Sequence, residues 1–221
     1  MKSKILGLLA LIVIAGKAHA QTEQGKNLLG GSASYTSSKK STLKDYFNEK
    51  NDAQVGLSFG HFFWKNLSLG VKASYNSGTS KVTTDYLYNY NGGTFYMLVN
   101  AYTDTEYRYA AVGPFARYYI DLSGRFKIYS ELAAAFGFGK QKNMFVAPQR
   151  EYHSGHYKSR DFSLNAGAAI YPTKKLAIEI GFNLGSYSYA TAEYGDTFER
   201  TKGFSFGLNN FKPILGIGYH F

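Results

Sequence analysis

The sequence predicts an all-β chain: an eight-stranded antiparallel transmembrane β-barrel with long external loops and short periplasmic turns. Three observations lead there. Eight segments alternate apolar with small or polar residues at the two-residue period of a strand. Most reach the roughly 9–11 residues that a tilted strand needs to cross a bilayer. The connections between them run long, short, long, short, long, short, long, the order expected when an even number of strands starts and ends on the side of the short turns.

The outward stripes follow in chain order. The first strand carries Leu29, Gly31, Ala33 and Tyr35; the second carries Ala53, Val55, Leu57, Phe59, His61 and Phe63. The third shows Leu67, Leu69, Val71, Ala73 and Tyr75, and the fourth Ala110, Val112, Pro114, Ala116, Tyr118 and Ile120. Phe126, Ile128, Ser130, Leu132, Ala134, Phe136 and Phe138 form the fifth stripe, and Phe162, Leu164, Ala166, Ala168 and Ile170 the sixth. Leu176, Ile178, Ile180, Phe182 and Leu184 mark the seventh. The eighth ends the chain with Phe211, Pro213, Leu215, Ile217, Tyr219 and Phe221.

Long connections are expected near 37–52, 78–106, 141–159 and 190–210, and short ones near 64–66, 121–125 and 172–175. Pro114 lacks an N–H and should mark an irregularity in its strand. Phe204, Phe206 and Leu208 have the opposite parity to Phe211 onward, which a bulge at Asn209-Asn210 would reconcile. Aromatic residues gather at both strand ends. Phe63, Trp64, Tyr118, Phe126, Tyr171, Tyr219 and Phe221 are expected as the turn-side girdle, and Tyr35, Tyr75, Phe138, Phe162 and Tyr187 as the loop-side one.

A soluble eight-stranded barrel of lipocalin type shares the alternation but inverts it. Residue size decides between them. The face opposite the apolar stripe carries Gly56, Ser58, Gly60, Gly70, Gly113, Gly137, Gly167 and Gly181, where a soluble exterior would show Lys, Glu and Thr. A narrow barrel interior needs such small residues around a few large ones.

The first 20 residues read as a cleaved signal peptide: Lys2 and Lys4, an apolar run from Ile5 to Ala15, and Ala18-His19-Ala20 as a small-x-small site. Residues 21–221 then form one barrel domain. The mean hydropathy of −0.28 and the interruption of every later run exclude a helical inner-membrane protein. Without cysteine there is neither a disulfide framework nor a thiolate metal site. Net charge is +10, and removing Lys2, Lys4 and Lys17 leaves +7. Along the chain this surplus lies in short turns and within strands, with no basic stripe interleaved with aromatics, so nucleic acid is not an expected partner.

The fourth-strand run Val112-Gly113-Pro114-Phe115-Ala116-Arg117-Tyr118-Tyr119 and the ending Gly216-Ile217-Gly218-Tyr219-His220-Phe221 carry a resemblance. The chain resembles the small outer-membrane β-barrel superfamily, which includes the outer membrane protein X and W types and the barrel domain of outer membrane protein A. The resemblance covers the whole of residues 21–221 and implies a Gram-negative, porin-like outer-membrane protein at the cell surface, exported through its signal peptide. It implies contact with outer-membrane lipid and lipopolysaccharide. It also implies that Leu215, Ile217, Tyr219 and Phe221 are an insertion signal for the barrel-assembly machinery.

Four inward charges stand out: Lys72, Arg117, Glu131 and Glu179, all on the turn side. Unpaired charge in a low-dielectric lumen is costly, so these are expected to pair. They would either fill the barrel or line a narrow pore for ions or small hydrophobic solutes; the width of eight strands favours filling. Tyr86, Tyr88, Tyr90, Tyr96 and Tyr102 crowd the second long connection and are candidates to contact an extracellular ligand or host surface. The alternative is that the strands simply run on past the membrane, since Thr- and Tyr-rich stretches favour strand.

No catalytic, cofactor or metal site is expected. Glu151, His153, Ser154 and His156 share a segment, but their spacing is loose for acyl transfer or metal binding. The 134–141 run resembles a phosphate-binding loop except that Gln141 replaces the Ser or Thr and no helix follows. A structural or surface-interaction protein is the favoured role, with a narrow pore as the alternative and a surface acyl-chain enzyme third.

Overall fold

In a computed structural model, residues 22–41, 47–90, 95–146, 150–194, 197–207 and 213–221 are described. Nine strands are present among them: β1 Asn27–Ser41, β2 Phe47–Trp64, β3 Leu67–Tyr90, β4 Phe95–Asp121, β5 Phe126–Val146, β6 Arg150–Ile170, β7 Leu176–Tyr194, β8 Thr197–Phe206 and β9 Ile214–His220. Each is antiparallel to its neighbours. β6 pairs with β7, and β9 bridges β7 and β1, so the sheet closes into a ring.

β8 and β9 are the two halves of one eighth strand. Both pair with β7, β8 beside Gly185–Tyr194 and β9 beside Leu176–Gly181. Between them the four steps from Gly181 to Gly185 oppose the eight steps from Phe206 to Ile214. The parity change expected at Asn209-Asn210 falls in this interval; those two residues, Phe211, Lys212 and residues 1–21 lie outside the described residues. β9 pairs with β1 only over Leu28–Ala33. Among the described residues β8 pairs with β7 alone.

The outward phases agree with exposure. Leu57, Leu132, Phe138, Leu215 and Ile217 are all exposed apolar residues, while Phe62, Phe115 and Tyr119, one position out of phase, are buried. Two positions differ. Leu184 is an inserted residue, because Leu164 pairs with Gly185 but Asn165 with Asn183; above it the outward position passes to Tyr187. Tyr171 follows outward Ile170, points inward and is fully buried, so it fills the lumen instead of joining the girdle.

Pro114 interrupts its strand as a residue without an N–H must. The β4–β5 ladder runs to Val112↔Phe136 and resumes at Phe115↔Ala133. Beside it the strands come so close that a Cβ at Gly113 would strike the Ala134 carbonyl oxygen.

Most of the connections expected as long external loops are strand. β3 and β4 pair continuously from Leu67↔Tyr118 to Tyr90↔Phe95, and β5 and β6 from Phe126↔Ile170 to Val146↔Arg150. Once a ladder is formed, each further Tyr, Thr or Val pair adds backbone bonds without new loop closure, so these hairpins run on past the apolar belt. The short turns are as expected. In the first, Asn66 takes a positive φ of 67°, which Asn tolerates better than most residues.

Candidate functional site

The lumen is two compartments. Its turn-side half is largely filled by side chains, and its loop-side half is a polar cup.

Inward phase brings the four charged residues together. Arg117 on β4 donates from Nη1 to both oxygens of Glu179 on β7, at 3.0 and 2.8 Å. Its Nε and Nη2 reach Glu131 Oε2 on β5 at 2.8 and 2.6 Å. Lys72 from β3 donates to Glu131 Oε1, and Asn165 from β6 donates to the same oxygen at 3.3 Å. Arg117, Glu131 and Glu179 are buried, whereas the Lys72 side chain is 32% exposed and forms the upper edge of the group. Two cations face two anions, so the cluster carries no net charge into the low-dielectric interior, the condition under which buried ions are tolerated.

Aromatic rings pack around these charges. Tyr119 accepts from Arg117 at 3.0 Å and donates to Glu179 at 3.3 Å. The Arg117 guanidinium lies 4.5 Å from the centre of the Tyr129 ring, a cation–π contact. Tyr129 itself fits because Gly167 and Gly181 face it; a Cβ at Gly181 would come within 2.6 Å of its hydroxyl. Below, His220 stacks on Phe62 with ring centres 5.6 Å apart and meets the Tyr171 hydroxyl at 3.3 Å. Leu28 closes this layer, fully buried.

A second polar cluster crosses the turn-side mouth, and sequence reasoning missed it. The segment before β1 folds back across the end of the barrel. Its Gly25 N–H donates to the Phe62 carbonyl at 2.8 Å, and the Asn66 N–H to the Thr22 carbonyl at 2.8 Å. The Asn66 carbonyl accepts from Tyr119 N–H at 2.8 Å, so this turn ties the N-terminal segment to the lumen wall. Thr22 Oγ1 contacts Asn66 and accepts from Lys127 at 2.7 Å, and Lys127 also pairs with Asp121. The signal was available: Lys127 shares the inward phase of Tyr129 and Glu131.

Above Lys72 the lumen opens into a cup of about 400 Å³. Its wall is mostly uncharged and polar, with Ser34, Gln54, Ser74, Asn76, Asn165 and Asn183, and with Tyr107 and Tyr109 towards the loop side. Tyr107 donates to Asp52, and the Tyr109 and Tyr157 rings lie 5.0 Å apart. Beneath it the remaining space around Arg117, Glu131 and Glu179 is about 70 Å³.

The other singled-out residues are placed as follows. Tyr86, Tyr88 and Tyr90 lie on β3 and Tyr96 and Tyr102 on β4, in a paired hairpin and not an irregular loop; their side chains lie outside the described residues. His153 and His156 lie on β6, and three residues along a strand put them on opposite faces, so they do not converge. Among the described residues there is no cluster of three or more potential metal ligands. On β9, Leu215, Ile217 and Tyr219 face outward, and so does Phe221 just beyond it. Phe221 exchanges backbone bonds with Asn27 at 2.7 and 3.0 Å.

Comparison with known proteins adds the following. The profile of a family described as outer membrane protein beta-barrel domain matches residues 6–221. No curated protein matches the chain. Similar solved structures include the attachment invasion locus protein Ail of Yersinia pestis in complex with the heparin analogue sucrose octasulfate. It is 18% identical with a TM-score of 0.36, over 90% of this chain and 99% of that one. Neisserial surface protein A is 13% identical with a TM-score of 0.41, over 90% and 98%. OprG from Pseudomonas aeruginosa is 13% identical with a TM-score of 0.40, over 90% and 97%.

Proposed function

Because the chain belongs to the outer membrane protein β-barrel domain family, we propose that it is a non-conducting barrel that holds a rigid surface platform in the bacterial outer membrane. The platform consists of the strands that run on beyond the apolar belt and the polar cup between them. Its partner is an extracellular ligand or host surface, met by the cup and by the Tyr-rich β3–β4 hairpin. Catalysis is not part of this reading. Residues 1–20 act as a cleaved signal peptide, and the outward side chains of the last strand are read by the barrel-assembly machinery.

One observation carries this reading: Arg117, locked between Glu131 and Glu179 with Tyr119, Tyr171, Phe62 and His220 packed below it. An eight-stranded barrel is just wide enough for side chains to fill, and here large side chains occupy the width. An ion entering the cup meets a neutralised charge cluster and then a fully buried aromatic layer. The cup therefore has a floor.

The experiment is conductance of the refolded protein in a planar bilayer, with folding checked by its heat-dependent electrophoretic shift. A silent bilayer from folded protein is the expected result. Reproducible steps that change on Lys72 or Glu131 substitution would overturn the reading and make the lumen a pore.

A further inference from the structure

The wall of the polar cup is built as a register row. Ser34, Gln54, Asn76 and Tyr109 are successive Cα partners across β1, β2, β3 and β4, and all four line the cavity. Gly139 and Tyr157 continue the row across β5 and β6. Glycine at 139 leaves room for the rings of its two partners, Tyr109 and Tyr157, to approach to 5.0 Å. Gly78 does the same in the next inward row for its partner Tyr107, whose ring a Cβ there would strike. Tyr107 and Tyr109 lie 6.0 Å apart, so the three tyrosines form an aromatic shelf on one side of the cup.

Amides and hydroxyls complete the circle. Asn183 on β7 donates to Asn165 on β6 at 3.0 Å, Asn165 to Ser163 at 3.2 Å, and Asn76 to Ser74 at 3.1 Å. These bonds hold the amides in place, and each amide keeps further donor and acceptor capacity at the cavity wall. Charge in the lining is largely compensated: Lys50 pairs with Asp52 at 3.5 Å, and Lys72 is held by Glu131. Asp161 is left, and one of its oxygens accepts from Ser159 at 2.8 Å.

We propose that the cup is a lectin site for a neutral saccharide, free or as the terminal ring of a glycan. The inference rests on the reading of the cup as the ligand-meeting part of the platform. A sugar ring carries hydroxyls around its equator and C–H groups on its faces. Polar side chains from six strands, β1 to β4, β6 and β7, surround the cavity and match the hydroxyls. The electron-rich face of a tyrosine ring suits the C–H side. A carboxylate offers about four acceptor positions, so Asp161 can take sugar hydroxyls as well as Ser159. The cavity of about 400 Å³ is, at about 30 Å³ per water, space for about a dozen water-sized groups, comparable to a hexose. A strongly charged ligand finds no matching field, because the wall offers hydrogen bonds all round and a single uncompensated carboxylate.

Saturation-transfer NMR of the refolded protein, in a detergent without a sugar head group, tests this. The probes are glucose, galactose, mannose and N-acetylglucosamine, each free and at the end of a trisaccharide, with glucosamine and glucuronate as charged counterparts. Transfer to at least one neutral sugar is expected, with the charged counterparts binding at least tenfold more weakly. Transfer to the free sugar marks a solute ligand, and transfer confined to the terminal ring of a trisaccharide marks a glycan; each supports the site. Tyr109→Leu and, separately, Gln54→Leu should each weaken binding about tenfold, with folding checked by the electrophoretic shift. Tyr35→Ser, on the outer wall, should leave it unchanged. No transfer to any neutral sugar, tighter binding of a charged counterpart, or wild-type binding by either lumen variant would overturn the site. Failure of the sugar panel with a silent bilayer strikes the saccharide alone, whereas conductance strikes the platform reading beneath it.

Discussion

Arg117 and Glu179 meet across the lumen from strands three places apart in the ring, and both oxygens of the carboxylate accept from one guanidinium nitrogen. Glu131 takes the rest of the guanidinium together with Lys72. Removing one member of a buried ion cluster leaves a charge without a partner, at a cost of about 3–5 kcal/mol. Glu131→Gln is therefore expected to lower the urea midpoint of the refolded barrel more than Glu179→Gln, because it releases two cations instead of one hydrogen-bonded fork. Equal midpoints for the two variants, or a midpoint unchanged from wild type, would count against a network that holds the strands in place.

The turn-side mouth gives a second test. Thr22→Val keeps the shape of the residue but removes the oxygen that Lys127 uses at 2.7 Å. A buried donor left short costs about 1–3 kcal/mol. The Gly25 amide, held by the Phe62 carbonyl, should lose hydrogen-exchange protection in this variant while amides in the middle of β4 keep theirs.

Asn66 combines a positive φ with side-chain bonds to Thr22 and, at 3.1 Å, to Asp121. Asn66→Gly keeps the backbone geometry and loses only the side-chain bonds. Asn66→Ala loses the bonds and adds left-handed strain of about 1–2 kcal/mol. The alanine variant should consequently unfold at the lower urea concentration. A reversed order would mean that the turn relaxes out of its left-handed geometry.

At Gly113 there is no room for a methyl group, because the obstacle is the Ala134 backbone and not a mobile side chain. Gly113→Ala should cost about 1–3 kcal/mol through forced separation of β4 and β5. Its refolding yield in detergent should fall, whereas Gly31→Ala, where nothing lies within 4 Å, should refold as wild type.

Much of the wall was legible in the sequence because a strand repeats every two residues, and burial on one face enforces the repeat. Arg117, Glu131 and Glu179 could be assigned to the lumen by counting from Tyr118, Leu132 and Ile180. Tyr171 could have been placed the same way from Ile170; its nearness to a turn suggested the girdle instead. Thr22 was out of reach, since a segment that folds back by backbone bonds has no periodicity. The side on which each charge lies was hidden for a different reason. In the linear sequence Asp52 and Asp161 lie among cations, but strand pairing turns Arg108, Arg160 and Lys202 outward and Asp52 and Asp161 inward. Charge balance along a chain says nothing about charge balance across a wall.

A ring under tension parts at its weakest join. Among the described residues, β1 is laced to β2 by fifteen residue pairs from Asn27↔His61 to Ser41↔Phe47, but to β9 by six, from Leu28↔His220 to Ala33↔Leu215. The division of the eighth strand therefore gives this cylinder a hinge line. Heat, force or an assembling partner should open it between the first strand and the last, as a curled sheet whose other seams still hold.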